Sequence, residues 1–171
     1  MIAPLFERMR LGDRNALARL LSCAARGQDL ADIQLGLAQN LHKTARVVAF
    51  TGSGGVGKSS LIGKLISIVR SQNLTIAVLA CDPQSPLSGG ALLGDRFRMG
   101  SSTDDGVFIR SLAALSGHGA IADHLDLMIR LLEAFGFDVI FLETVGAGQG
   151  DVAVRNLVDA VVLLQIGRAH V

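Results

Sequence analysis

The chain has 171 residues, which is long enough for one domain with a core of its own. Its 16 lysines and arginines are balanced by 15 aspartates and glutamates, so we expect neither nucleic acid nor a membrane surface among its partners. It has no signal sequence, no apolar run near the ~18 residues of a membrane span, and two cysteines, Cys23 and Cys81, without disulfide or zinc spacing; a cytoplasmic protein is therefore expected.

Two short helices are predicted before the first strand, and they form a helical prelude over residues 1–45. Asp13 is the expected N-cap of the first helix, which continues to about Ala25 with apolar side chains on one face. Asp29 is the expected N-cap of the second helix, whose apolar residues keep helical spacing up to Leu41.

The segment Gly52–Ser59 follows a predicted strand at 46–51 and precedes apolar residues at helical spacing over 61–69. Its letters, GSGGVGKS, fill the G-x-x-x-x-G-K-[ST] pattern of a phosphate-binding loop, or P-loop. All four glycines are predicted to allow left-handed backbone conformations that turn N–H groups toward a phosphate, beside the positive end of the next helix. Lys58 is expected to reach the β- and γ-phosphates and the Ser59 hydroxyl to bind Mg²⁺. The predicted nucleotide-binding residues are Gly52, Ser53, Gly54, Gly55, Val56, Gly57, Lys58, Ser59, Ser60 and Gly146.

The remainder of the chain alternates strands and helices. Apolar runs predict strands at 75–80, 107–110, 139–142 and 160–164, and an amphipathic pattern predicts a helix at 120–135 that Gly136 ends. This alternation predicts an α/β protein with the P-loop NTPase three-layer fold and a mostly parallel sheet, over residues 46–165. In such a sheet the ligand binds at the carboxyl ends of the strands.

Two carboxylates, Asp82 and Glu143, directly follow apolar strands, so a parallel sheet would bring them beside the P-loop. Mg²⁺ prefers oxygen ligands, and the candidates are Ser59, Asp82, Asp95 and Glu143. The run from Glu143 to Gly146 resembles the acidic-x-x-Gly switch of nucleotide hydrolases, in which the glycine N–H senses the γ-phosphate. The candidate catalytic residues are Lys58, Asp82 and Gln149. Asp82 could instead be a turn former, and Gln149 an exposed loop residue rather than the group that orients water.

Four segments between Leu11 and Asp151 read LGDRNALARL, TGSGGVGKSS, CDPQSPLSGGALLGDRFRM and EAFGFDVIFLETVGAGQGD, within a resemblance that extends from about Leu11 to Gln165. Together they resemble the GTPases of the MeaB and ArgK family, to which the methylmalonic aciduria type A proteins belong. The resemblance implies a GTP-binding and GTP-hydrolysing chaperone that assists adenosylcobalamin loading and protects methylmalonyl-CoA mutase or a related acyl-CoA mutase. It also implies GTP and Mg²⁺ as ligands, Mg²⁺ near the four candidates above, and a homodimer.

The chain departs from the commoner family pattern slightly at Ser53, Gly54 and Ser60, and more seriously at its C-terminal end. Related ATPases carry a lysine at the second loop position, whereas this chain has Ser53, which argues against those ATPases. The guanine-reading N-K-x-D segment is absent, so truncation and poor discrimination between GTP and ATP are expected. Residues 166–171 are expected to be a non-native tail, and the strand at 160–164 an exposed apolar edge. A transport-linked ATPase or kinase for basic amino acids and a non-catalytic nucleotide-binding fragment remain as alternatives.

Overall fold

A parallel sheet organises the computed structural model, which describes residues 2–39, 44–82, 104–113, 124–144, 154–165 and 167. Within these residues the sheet has five strands in the order β3-β2-β4-β1-β5, and every neighbouring pair is parallel. The predicted α/β class and parallel sheet are confirmed. The strands are β1 (Arg46–Gly52), β2 (Ile76–Asp82), β3 (Val107–Ala113), β4 (Val139–Glu143) and β5 (Ala160–Leu164).

Helices cover both faces of this sheet. Successive strand residues point to opposite faces, so Ile140 and Leu142 pack on one face while Phe141 packs on the other. The first face is covered by α1, α2, α3 and α5, and the second by α4, which gives the predicted three layers. None of the helices among the described residues combines the length and apolar character needed to cross a membrane. The helices are α1 (Ala3–Arg10), α2 (Arg14–Ala25), α3 (Leu30–Ala38), α4 (Lys58–Ser71) and α5 (Leu125–Phe135).

Helix α1 is an addition to the two helices predicted before the first strand, which correspond to α2 and α3. It has only 8 residues, begins with a proline in its first turn, and buries only Phe6 and Met9 among its own side chains. Two buried positions are too few to establish helical periodicity in a sequence. Phe6 nevertheless packs closely on α3, because a Cβ at Gly36 would lie 2.4 Å from the Phe6 ring.

The predicted helix ends are partly confirmed. Asp13 caps α2, since its Oδ1 accepts hydrogen bonds from Asn15 N at 2.8 Å and Ala16 N at 3.2 Å. The prediction for α3 is confirmed in position only: Asp29 is the N-cap residue, but it has φ of 55° and makes no side-chain capping bond. The side chain of an N-cap normally accepts an amide of the first turn from an extended backbone, and Asp29 has a left-handed backbone instead. Gly136 ends α5 as predicted, with φ of 105°.

Strand β5 is at the edge of the described sheet and differs from the other strands in its burial. Val161, Val162 and Leu163 are 39%, 36% and 53% exposed, although successive side chains lie on opposite faces. Strands of parallel sheets are usually covered on both faces. In the part of the chain that the structure describes, β5 therefore presents the apolar edge that the sequence predicts.

Two arginines, Arg70 of α4 and Arg14 of α2, bind the chain where it enters β3. The Arg70 guanidinium donates to both carboxylate oxygens of Asp104, at 2.9 Å each, and also donates to Leu74 O at 2.6 Å. From α2, Arg14 Nη1 donates to Val107 O at 2.8 Å. Planar two-pronged pairing of this kind fixes both position and orientation. The chain that enters β3 is thereby tied to α4 through Asp104 and to α2 through Val107, on both faces of the sheet.

The Asp104→Asn variant is expected to be less stable than the parent chain at neutral pH. When the pH is lowered, its stability should fall less than that of the parent chain. The Arg70 guanidinium and the Gly106 N–H hold the pKa of Asp104 below its ordinary value. The pair therefore stabilises the fold above the unfolded-state pKa of Asp104, and this contribution disappears as the pH falls through the folded-state pKa. Thermal unfolding midpoints measured from neutral to acidic pH check this.

Asp105→Asn is the matched control for that measurement, because Asp105 is the exposed neighbour of Asp104 and contributes its backbone carbonyl to the Arg14 contact. The two variants should differ at neutral pH and converge in acid. Parallel pH profiles for Asp104→Asn and the parent chain would contradict the expectation.

Candidate functional site

The P-loop joins β1 to α4 at the carboxyl edge of the sheet. Strand β1 ends at Gly52, and α4 begins at Lys58, so the loop is formed by residues 53–57. Gly55 and Gly57 have φ of 75° and 98°, a conformation that residues with a Cβ rarely adopt. Gly54 was also predicted to have a left-handed backbone, but its φ lies outside that region. The turn is made by Gly55 and Gly57 instead. The loop is largely exposed and open to a ligand.

Gly52 is required for a close contact with β5. The sheet register pairs Gly52 with Leu164, and Gly52 has φ of 144°. A Cβ at this position would lie 2.3 Å from the carbonyl oxygen of Leu164. Because backbone atoms cannot move aside easily, the last residue of β5 fixes where the P-loop starts.

Lys58 is a buried cation that faces back toward the beginning of the loop. The residue is 8% exposed, and its Nζ donates to Gly52 O at 2.7 Å and to Ser53 O at 2.9 Å. A buried ammonium group requires such partners because it has left water. The charge is therefore already held at the loop, where it can meet phosphate oxygens.

Ser59 and Glu143 bring two oxygen ligands together beside the loop. Ser59 lies in the first turn of α4, and its Oγ donates to Glu143 Oε1 at 2.8 Å. Glu143 is the last residue of β4, the strand next to β1, and is 5% exposed. A hydroxyl and a carboxylate are donors that Mg²⁺ accepts in proteins, so this pair fits the predicted magnesium ion.

The other predicted site residues are only partly covered by the structure. Asp82 is the last residue of β2, which pairs with β4, so its backbone lies at the same edge of the sheet as Glu143. Its side chain is outside the description, and Asp95, Gly146 and Gln149 lie outside the described residues. Among the residues that are described, no three His, Cys, Asp or Glu side chains form a metal-binding group.

One contact at this edge has no signal in the sequence. Thr144, the first residue after β4, donates its backbone N–H to Phe50 O at 2.9 Å and its hydroxyl to the same oxygen at 3.3 Å. A threonine after an apolar run gives no indication that it binds a carbonyl about 94 positions earlier, since the contact depends on the pairing of β1 with β4.

A glycine loop between β1 and α4, a buried lysine at that loop and oxygen ligands at the end of the neighbouring strand β4 define a P-loop nucleotide-binding protein of the parallel α/β class. Within that class, the chain belongs to the MeaB family: the family model described as methylmalonyl Co-A mutase-associated GTPase MeaB matches residues 17–170.

Relatives agree with this membership. A Pyrococcus abyssi protein that bears the name of a GTPase is 46% identical over 167 residues, which cover 97% of this chain and 52% of the relative. The fused isobutyryl-CoA mutase of Nocardia farcinica is 42% identical over 160 residues, which cover 91% of this chain and 15% of that protein. The chain thus spans about half the length of the Pyrococcus relative and a small part of the fused mutase.

A solved structure supports the fold. The crystal structure of LAO/AO transport system kinase superposes with a TM-score of 0.68 at 26% identity, covering 96% of this chain and 49% of that one. The P-loop fold predicted from the sequence is therefore confirmed.

Proposed function

We propose that this protein binds and hydrolyses GTP at the P-loop with Mg²⁺ and thereby acts as a chaperone of an adenosylcobalamin-dependent acyl-CoA mutase, assisting cofactor loading and protecting the enzyme. Methylmalonyl-CoA mutase or a related acyl-CoA mutase is the proposed partner, and a homodimer the proposed assembly. The observation that carries the proposal is the buried Lys58 ammonium at the mouth of the loop in a member of the MeaB family.

Nucleotide binding follows from what the loop offers. Backbone amides of residues 53–57 and of the first turn of α4 would donate to a phosphate beside the positive end of the helix dipole. Lys58 would exchange its bonds to Gly52 O and Ser53 O for bonds to β- and γ-phosphate oxygens. The remaining proposed nucleotide contacts are Val56, Ser60 and Gly146.

Hydrolysis requires neutralisation of phosphate charge and a positioned water. Ser59 and Glu143 would hold Mg²⁺, together with Asp82 and Asp95, and the metal would neutralise charge on the β- and γ-phosphates. Gln149 is the proposed residue that orients the attacking water, Asp82 assists at the strand end, and the Gly146 N–H senses the γ-phosphate.

The fused relatives support the choice of partner. In Nocardia farcinica and in Cupriavidus metallidurans, a segment 42% identical to this chain is part of a protein named fused isobutyryl-CoA mutase. Fusion keeps two activities at a high effective concentration, which is useful when one acts on the other. We therefore propose that this chain contacts a mutase.

Addition of an adenosylcobalamin-dependent mutase is expected to raise the GTP hydrolysis rate of this chain by at least about fivefold, because coupling between two binding sites is commonly of this size. Single-turnover hydrolysis with methylmalonyl-CoA mutase, and separately with isobutyryl-CoA mutase, measures the effect. Lys58→Ala in the same assay shows whether the activity belongs to the P-loop. Equal rates with a mutase and with an unrelated acyl-CoA enzyme would refute the partner.

A second candidate is a transport-linked ATPase or kinase for basic amino acids, which the structural similarity to a protein named LAO/AO transport system kinase favours. If this second function is correct, the rate of ATP hydrolysis should rise on addition of a basic amino acid and its transport protein and should not change on addition of a mutase. The same hydrolysis assay, run with both nucleotides and both kinds of partner, separates the two candidates.

A further inference from the structure

Thr144 lies where β4 leaves the sheet. Side chains of a regular strand stand roughly perpendicular to the sheet, whereas the Thr144 hydroxyl reaches sideways to the neighbouring strand and donates to Phe50 O at 3.3 Å. The same oxygen accepts the Thr144 backbone N–H at 2.9 Å. A single carbonyl of β1 therefore holds both the main chain and the side chain of the residue after Glu143.

The acceptor of these two bonds is itself fixed. The Phe50 side chain is 1% exposed and packs edge-to-face on Phe141 of β4, with ring centroids 5.0 Å apart. Phe50 also lies two residues before Gly52, whose carbonyl oxygen accepts the Lys58 ammonium. Thr144 is thus tied to the strand that leads directly into the P-loop.

The residue held by this attachment is Glu143. The register pairs Glu143 with Phe50, and Glu143 Oε1 accepts the Ser59 hydroxyl at 2.8 Å. Glu143 is also paired with Ala80 of β2, so β4 is held on both sides up to this residue. The chain leaves the sheet at the next peptide, and a small rotation of that peptide would move the Glu143 carboxylate relative to Ser59. A second donor on the same carbonyl restricts that rotation.

We infer that Thr144 is a positioning residue for the magnesium site: its hydroxyl fixes the end of β4 on β1 and so keeps the Glu143 carboxylate beside Ser59. The inference rests on the proposed function, because it assumes that Ser59 and Glu143 bind the metal. It follows that removal of the Thr144 hydroxyl should reduce the gain in nucleotide affinity that Mg²⁺ provides.

The affinity for a fluorescent GDP analogue is measured in excess Mg²⁺ and again in EDTA. The ratio of the affinity in Mg²⁺ to the affinity in EDTA is the quantity compared, and hydrolysis does not affect it because GDP is used. Thr144→Val keeps the shape of the side chain and removes the hydroxyl, and we expect it to reduce the ratio by about fivefold with the EDTA affinity unchanged. Thr144→Ser keeps the hydroxyl and should restore the ratio of the parent chain. Thr144→Ala serves as a second variant without the hydroxyl if valine impairs folding.

Thr75→Val is the matched control for stability. The Thr75 hydroxyl donates to Asp138 Oδ2 at 2.8 Å, just before the opposite end of β4. Its removal should lower the unfolding midpoint and leave the ratio unchanged. If both threonine-to-valine variants reduce the ratio equally, the effect follows general stability and the inference is wrong.

Glu143→Gln completes a double-mutant cycle. If Thr144 acts through Glu143, Thr144→Val should have no further effect on the ratio in the Glu143→Gln background, whereas an additive effect would contradict the inference. A parent chain whose nucleotide affinity is the same in Mg²⁺ and in EDTA would overturn the proposed magnesium site itself. A normal ratio in the parent chain together with an unchanged ratio in Thr144→Val would overturn only the role of Thr144.

Discussion

Lys58→Ala is expected to weaken magnesium-dependent GTP binding by about 100-fold, since a charge-assisted contact contributes on the order of 1.5–3 kcal/mol and Lys58 can make more than one. The ammonium group now bonds to Gly52 O and Ser53 O and is buried at the loop. Removing it leaves these carbonyls and the phosphate oxygens without their common cation. Titration with a fluorescent GTP analogue measures the loss.

The same helix supplies the control for Lys58→Ala. Lys64 lies in α4 but is exposed, so Lys64→Ala removes an equal charge away from the loop. We expect its affinity for GTP to stay within about twofold of the parent chain, because exposed charges at this distance are screened by salt. An unchanged affinity in Lys58→Ala, or equal losses in the two variants, would refute the account of the site.

Gly52→Ala is expected to destabilise the fold by about 2–4 kcal/mol, the range of severe backbone strain combined with a steric clash. The added Cβ would meet Leu164 O at 2.3 Å, and φ of 144° is rarely available to alanine. Relief requires β5 to move away from β1, which breaks the ladder that ends at the P-loop. Chemical denaturation gives the unfolding free energy.

Gly54→Ala is the matched control from the same loop. A Cβ at Gly54 would meet no atom within 4 Å, and Gly54 does not need a left-handed backbone. We therefore expect its unfolding free energy to remain within about 0.5 kcal/mol of the parent chain, as for most exposed positions. Equal destabilisation by the two substitutions would show that the contact with Leu164 is unimportant.

Several parts of this architecture follow from local patterns. The apolar run at 160–164 predicts β5 with its observed limits, and Asp13 caps α2 as expected, because both depend on neighbouring residues. The P-loop pattern likewise predicts a glycine loop between a strand and a helix, and the loop lies between β1 and α4 as expected. Such features need no knowledge of distant segments.

Other parts depend on contacts between distant segments or on small conformational differences. The bond between Ser59 and Glu143 could be anticipated only as proximity at a sheet edge, because the strand order β4-β1-β5 cannot be read from separate runs. Asp29 has the residue type and the position of an N-cap, but in its left-handed conformation it makes no side-chain capping bond. The attachment of Thr144 to Phe50 required the register of β1 and β4.

The internal bonds of Lys58 and Ser59 have a calorimetric consequence. Each phosphate or metal contact made by these side chains replaces a hydrogen bond that the ligand-free chain already makes, so the number of bonds changes little on binding. A favourable enthalpy would then come mainly from backbone amides of the loop rather than from these two side chains. Because Lys58 is already held in place, it loses little rotational entropy when it binds phosphate. This small entropic cost is how the lysine raises the affinity.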